Sequence, residues 1–297
     1  MTQILVTGAT GFVGGRLVPA LIDEGHDVRA MTRRPQQYDG PGTAVGGDVH
    51  DPDTLVPALE DVEIAFYLVH SLDSADFEDV DARAAEAFGR AAAEAGVRQI
   101  VYLGGLGAEG AELSAHLRSR REVEGLLGAG GVPVTVLRAG IVIGRGGVSW
   151  ELTRQLVKNL PAMVVPKWVA TRTQPIAVDD VIRYLVGVAD APEALDRVFE
   201  IGGPAQMTYL EMLEIASEVA TGRRVPIVQV PVLTPRLSSY WLSFVTDIDS
   251  TTGRNLIDSM GTEVVVTDTS IRDLVPGEPI AYDEAVRRAL EETDDAR

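Results

Sequence analysis

Residues Thr7–Gly14 read TGATGFVG, between an apolar run, QILV (Gln3–Val6), and the amphipathic segment GRLVPALIDEG (Gly15–Gly25). A glycine triplet alone is a weak signal, but one that leaves a strand and opens a helix is a strong one. In that context each glycine has its own duty. Gly8 permits the tight turn, Gly11 lets the backbone approach a pyrophosphate, and Gly14 lets helix and strand pack closely, with the anion at the helix N-terminus. Thr10, Phe12 and Val13 lie between these glycines and are expected to share the contact. The competing reading is a glycine-rich turn that serves packing alone.

Outward from this turn, apolar runs alternate with amphipathic helical segments. DVRAMTR (Asp27–Arg33), VEIAFYLV (Val62–Val69), an alanine-rich helix over Ala82–Ala95, QIVYLGG (Gln99–Gly105), SAHLRSRREVEGLL (Ser114–Leu127) and PVTVLRAG (Pro133–Gly140) follow one another. Strands apolar on both faces and joined by helices predict a parallel sheet covered on both sides, an α/β doubly wound fold of the Rossmann type. After Gly144 the rhythm loosens. A helix over Trp150–Lys158, the strand RVFEIGG (Arg197–Gly203) and a helix entered through a Thr208–Glu211 capping box come next. The strand-like pieces VPIVQVP (Val225–Pro231) and EVVVTD (Glu263–Asp268) and the terminal helix YDEAVRRALEE (Tyr282–Glu292) complete the chain. The expected organisation is a dinucleotide-binding domain over residues 1–150, to which 175–204 return. A smaller C-terminal substrate lobe comprises 151–174 and 205–297, with SSYWLSFV (Ser238–Val245) as one of its apolar walls.

Composition narrows the function. With 44 acidic against 26 basic side chains the formal charge is -18. Such a surface repels nucleic acid and anionic membranes, so neither is an expected partner. The chain has no cysteine, which removes disulfides, thiolate metal sites and cysteine nucleophiles. His26, His50, His70 and His116 lack metal-ligand spacing, and no metal is expected. Apolar stretches are broken well short of a bilayer span, and the first residues carry no basic segment or cleavage site. No membrane span is therefore expected, and the expected location is cytoplasmic. Oligomeric state is not legible. Within this acidic chain Arg33–Arg34 and Arg118, Arg120 and Arg121 form basic islands, candidates for holding an anion.

The end of the second strand distinguishes the two nicotinamide cofactors. An acid there hydrogen-bonds the ribose 2'-hydroxyl of NAD, whereas TRRP (Thr32–Pro35) offers Arg33 and Arg34, which suit a 2'-phosphate. NADP(H) is thus favoured over NAD(H). The competing reading makes these arginines solvated salt-bridge partners.

TGATGFVG, GGDVHDP (Gly46–Pro52), VYLGGLG (Val101–Gly107), LRAGIVIG (Leu137–Gly144), QPIAVDDV (Gln174–Val181) and FEIGGP (Phe199–Pro204) together resemble the extended and atypical short-chain dehydrogenase/reductases, which include epimerase-like and NmrA-like proteins. The resemblance covers nearly the whole chain and is closest to an atypical branch described as NAD(P)H-binding. It implies that Asp48 and Val49 contact the adenine, that Leu68 and Val69 border the ribose, and that Ile141 lies near the nicotinamide. In the catalytic members a serine or threonine follows the fifth strand and a Tyr-x-x-x-Lys pair stands on the next helix. By alignment Gly104 and Gly105 replace the hydroxyl, His116 the tyrosine and Arg120 the lysine.

His116 and Arg120 are four residues apart and share a helix face. An imidazole titrates near neutrality unaided, so His116 is a candidate general acid or base. Arg120 retains hydrogen bonds for a ribose or phosphate but opposes protonation of its neighbour. His70, at the end of VEIAFYLVH, is a second candidate at the same rim. Three readings of the pair stay open: a surface helix with an Arg120–Glu124 ion pair, a cofactor-facing pair without chemistry, and a working proton donor. Trp168, Arg172 and Gln174 correspond by resemblance to the substrate-pocket region, and Asp179 and Asp180 suit a helix start. The leading expectation is an NADP(H)-dependent oxidoreductase acting on a small-molecule substrate. The alternatives are a silent NADPH-binding sensor or assembly protein and an epimerase-like enzyme acting on a nucleotide sugar.

Overall fold

Alternate residues of the first strand point to opposite sides of the sheet, and both sides are buried. The strands up to Ala139 are β1 (Gln3–Val6), β2 (Asp27–Thr32), β3 (Thr43–Gly46), β4 (Ile64–Tyr67), β5 (Gln99–Gly105) and β6 (Val134–Ala139). Shorter ones follow: β7 (Val142–Ile143), β8 (Met163–Val165), β9 (Arg172–Thr173), β10 (Ile176–Ala177), β11 (Val198–Ile201), β12 (Met207–Thr208) and β13 (Ile227–Gln229). The computed structural model describes residues 1–71, 74, 76–107, 113–160, 162–165, 167–229, 253 and 258–295. The expected Ser238–Val245 wall lies outside them, as does the Trp168 side chain.

One seven-stranded sheet runs β11-β6-β5-β4-β1-β2-β3, parallel throughout. Ile4, Val6, Ile64, Phe66 and Val101 face one core, which helices α1 (Gly14–Asp23) and α6 (Val178–Val188) close with Leu17, Leu21, Val181 and Leu185. Leu5, Ala65, Tyr67, Ile100 and Tyr102 face the other, covered by α2 (Leu55–Leu59), α3 (Phe77–Glu94) and α4 (Ala115–Leu127) through Leu55, Phe88 and Val123. Helices on both faces of a parallel sheet make the fold Rossmann-type, as the sequence pattern predicts. Strand order reverses between β1 and β4, which opens a crevice at their carboxyl ends. Thr7 stitches that point together: its N–H donates to Phe66 O (3.0 Å) and its Oγ1 accepts from Leu68 N–H (2.9 Å).

A third core joins α5 (Val148–Asn159), α7 (Tyr209–Thr221) and the terminal helix Tyr282–Asp295 through Trp150, Leu156, Met212, Ala216 and Val286. The expected capping box at α7 is present: Glu211 N–H donates to Thr208 Oγ1 (3.2 Å), and Thr208 N–H to Glu211 Oε2 (2.7 Å). EVVVTD departs from expectation. It makes a single bridge, Val264 with Thr173, instead of a strand. Side chains take three of its amides: Gln174 Oε1 accepts from Val266 N–H (3.0 Å), and Glu200 Oε2 from the N–H groups of Thr267 and Asp268.

Asp180 does more than start α6. Its buried carboxylate accepts from Ile280 N–H (2.7 Å) and Arg183 Nη2 (2.9 Å), and Arg183 in turn donates to Pro276 O (3.0 Å). One acid thereby ties the sheet-covering helix to the segment that leads into the terminal helix. Among the described residues no helix is long and apolar enough to cross a membrane.

Candidate functional site

The glycine turn at the switch point is wound as tightly as a backbone allows. Gly8 has φ +61°, and Gly11 N–H donates to Gly8 O at 2.8 Å. A Cβ on Gly14 would stand 2.2 Å from Gly8 O, and one on Gly11 3.1 Å from it. Val13, the residue that precedes α1, makes no side-chain cap bond. Gly15 N–H and Arg16 N–H already donate to Gly11 O (2.9 Å) and Val13 O (3.1 Å), so it is the turn backbone leading into α1, above a floor that admits no side chain, that fits a pyrophosphate. Arg16, not singled out in the sequence, braces the turn. It donates to Phe12 O (3.0 Å) and Arg145 O (3.1 Å), lies over the Phe12 ring and pairs with Glu292 of the terminal helix (2.5 Å).

Two cavities flank this turn. The first, about 520 Å³, runs past the ends of β2 and β3 and is lined by Thr10, Arg33, Arg34, Asp48, Val49 and Val69. The second, about 330 Å³, is lined by Gly11, Phe12, Val13 and Leu68 and, at its far side, by Gly104, His116, Arg120 and Ile141. Gly8 and His70 line both, so the two join into one cleft along the carboxyl edge of the sheet. The residues expected to hold the cofactor, together with His116 and Arg120, therefore border one cleft. Tyr38, His50 and Ser71 in the first cavity, and Tyr209, Met260 and Val264 in the second, were not singled out. His50 lies within the GGDVHDP stretch, and the others are brought in by the three-dimensional path of the chain. Gln174 is instead structural, donating to Gly203 O (2.7 Å), and Arg172 is held by Glu263 (3.0 Å) outside both cavities.

At the first cavity Arg33 and Arg34 are exposed and, among the described residues, have no acidic partner. The salt-bridge reading of these two arginines is thus not what forms. Arg34 N–H donates to Thr32 Oγ1 (3.3 Å), which holds the backbone at the strand end.

In the second cavity Ser114 caps α4, accepting from Leu117 N–H (3.3 Å), and starts the helix so that His116 and Arg120 both border the cavity. Of the three readings, the surface helix with an Arg120–Glu124 ion pair is not what forms. Glu124 turns to Arg138 on β6, with contacts from 2.6 to 3.2 Å, while Arg120 Nη1 points to the Tyr102 hydroxyl at 3.4 Å. Two glycines at the end of β5 make room for this packing. A Cβ on Gly104 would lie 2.9 Å from Glu124 Oε1, and one on Gly105 2.8 Å from Leu117 Cδ2.

The expectation that His116 titrates near neutrality is corrected. Burial first, then the charge of Arg120, pushes its imidazolium down to about 3. His70, although its side chain is exposed to the open cleft, is lowered too, by desolvation, then by Arg120, then by His116. Burial raises the Tyr67, Tyr102 and Tyr209 phenols. At neutral pH His116 is a neutral ring and Arg120 carries the charge.

This has a consequence for stability. Between about 3 and the unfolded histidine value the unfolded chain binds the proton that folded His116 refuses. Stability contributed by this residue is therefore full above ~6.5 and falls as pH drops through that window, by at most ~1.4 kcal/mol per pH unit. NMR of the folded protein is expected to show the His116 ring resonances unmoved from pH 8 to about pH 5, whereas a midpoint near 6.5 would contradict this environment.

A parallel doubly wound sheet with a glycine cradle at its switch point and a cleft running to either side defines a dinucleotide-binding protein. Residues 8–168 match the family model described as NAD(P)H-binding, and the chain belongs to that family. It is 24% identical over 252 residues to a photosystem II assembly factor of Synechocystis sp., covering 82% of this chain and 74% of that one. Over 140 residues, 46% of each chain, it is 37% identical to the (4-alkanoyl-5-oxo-2,5-dihydrofuran-3-yl)methyl phosphate reductase of Streptomyces griseus. The fold is shared with Citrobacter sp. triphenylmethane reductase complexed with NADP(H), at a TM-score of 0.79 and 18% identity over 97% of this chain and 99% of that one.

Proposed function

We propose that this protein is an NADP(H)-dependent oxidoreductase that works on a small organic molecule held between the sheet and the lobe formed by residues 151–174 and 205–297. The observation that carries the reading is the joined cleft, with Arg33 and Arg34, which have no acidic partner among the described residues, at one end and Gly104, His116 and Arg120 at the other. Arg33 and Arg34 hold the 2'-phosphate, Asp48 and Val49 the adenine, and Leu68 and Val69 the ribose. Thr10 to Val13 bind the pyrophosphate, and Ile141 borders the nicotinamide. Bound NADPH supplies a hydride from nicotinamide C4. With its ring neutral, His116 serves as a hydrogen-bonding group that orients the substrate, and water delivers the proton.

Removing one guanidinium from a phosphate site forfeits a charge-assisted bond. For Arg33→Ala the NADPH dissociation constant is expected to rise about tenfold or more, with NADH changed little. An unchanged ratio of the two affinities would remove the NADP assignment. Turnover against a panel of carbonyl compounds and quinones tests the reaction class.

A second reading, a silent NADPH-binding assembly protein, is favoured by the lack of a hydroxyl at Gly104 and Gly105 and by the similarity to the photosystem II assembly factor over 82% of the chain. It predicts that NADPH raises the melting temperature while no compound in the panel is turned over.

A further inference from the structure

The nicotinamide-side cavity has apolar walls, among them Leu103, Leu106, Leu117, Met260 and Val264, and among the described residues Arg120 is the one formally charged group that lines it. Its helix neighbours are spoken for. Arg118 donates to Leu113 O (2.8 Å) and pairs with Glu78 (3.6 Å), and Arg121 pairs with Glu124 (3.6 Å). Arg120 has a long contact to the neutral Tyr102 hydroxyl and no acidic ion-pair partner among the described residues, although buried Asp81 on α3 feels its charge. A half-buried guanidinium facing an apolar cavity is a site for developing negative charge, because the attraction is weakly screened there.

We infer that Arg120 is an oxyanion site and that the cavity takes an α,β-unsaturated carbonyl compound, whose oxygen the guanidinium holds while the electron pair arrives on it. This rests on the dinucleotide reading given above. Reduction of an isolated ketone places a strongly basic alkoxide on oxygen and needs an acid at that moment. The strand end offers no hydroxyl for this, and a side chain at Gly104 or Gly105 would collide with Glu124 or Leu117; of the hydroxyls that line the cavity elsewhere, those of Ser149 and Ser259 are very weak acids and burial raises the Tyr209 phenol. His116 stays neutral at working pH. A conjugated acceptor removes the need. Its β-carbon gains the hydride and forms a C–H bond, the C=C π pair moves to the bond next to the carbonyl, and the carbonyl π pair settles on oxygen as an enolate. That anion has a far weaker demand for a proton than an alkoxide and persists beside Arg120 until water protonates the α-carbon. The sum is one acceptor, one reduced nicotinamide and one proton giving the saturated carbonyl compound and the oxidised nicotinamide.

Fluorinated phenols mimic the neutral and anionic forms of such an oxygen, and 19F NMR reads which form is bound. With NADPH-saturated protein the bound phenol is expected to ionise at least one pH unit below its value in water, about a tenfold preference for phenolate. Arg120→Met is expected to erase the preference, while Arg120→Lys keeps part of it and guards against a folding defect in the first variant. NADPH affinity, measured on the same samples, is expected to change less than the phenolate preference. Equal binding of phenol and phenolate by protein that holds NADPH, or a preference that survives in folded Arg120→Met, overturns this inference and leaves the cofactor reading standing. Protein that does not bind NADPH overturns both.

Discussion

Gly14→Ala is expected to abolish measurable NADPH binding and to lower the melting temperature. The added Cβ would lie 2.2 Å from Gly8 O, 2.8 Å from Gly8 C and 2.9 Å from Ala9 Cα, all backbone atoms that no rotamer change can move aside. Helix α1 must then withdraw from β1, at a cost of ~1–3 kcal/mol for overpacking. The amides that face the anion move with it. Loss of two such charge-assisted bonds weakens binding by about 100-fold or more. Gly15→Ala is the control, since its Cβ would meet Ala9 O at an ordinary 3.7 Å. That variant is expected to bind NADPH normally and to be slightly more stable, because alanine loses less backbone freedom in a helix. Equal behaviour of the two variants in calorimetry would show that close approach at Gly14 is irrelevant.

Asp180→Ala is expected to destabilise the fold strongly without touching the cleft. The change removes the acceptor of Ile280 N–H and the partner of Arg183, both held by a carboxylate that is 3% exposed. Breaking a buried charge pair costs ~3–5 kcal/mol, and because Arg183 keeps some contact with water the lower end applies. For a chain of this size that is a fall in melting temperature of roughly 6–12 °C. Asp180→Asn keeps an acceptor for Ile280 N–H and is expected to lose less than half as much. A loss for Asp180→Ala below ~1 kcal/mol in urea unfolding would contradict the tie between α6 and the C-terminal segment.

What the sequence revealed and what it hid divide by range. The TGATGFVG turn, the alternation of strands and helices and the Thr208–Glu211 cap are local patterns, and the structure follows them. Asp180 is separated from Ile280 by 100 residues, and Arg138 from Glu124 by 14 across two elements. Neither contact leaves a local pattern. Reading α4 alone suggested an Arg120–Glu124 pair at i, i+4, but β6 brings Arg138 to the same carboxylate with a bidentate grip that a single-turn pair does not match. The EVVVTD segment has strand composition, yet Gln174 and Glu200 take its amides before a ladder can form. Most of the cofactor-site residues expected from the sequence border one cleft because they stand at or just after the carboxyl ends of the sheet strands, while His116 and Arg120 reach it from α4. The state of His116 was hidden, since burial and the neighbouring guanidinium decide it rather than the residue type.

Isothermal titration of the protein with NADPH tests the central claim most directly. The expected result is a saturable heat for one molecule per chain, reduced in Arg33→Ala and lost in Gly14→Ala. A flat titration at millimolar NADPH, with no rise in melting temperature, would contradict the assignment of the cleft to a dinucleotide.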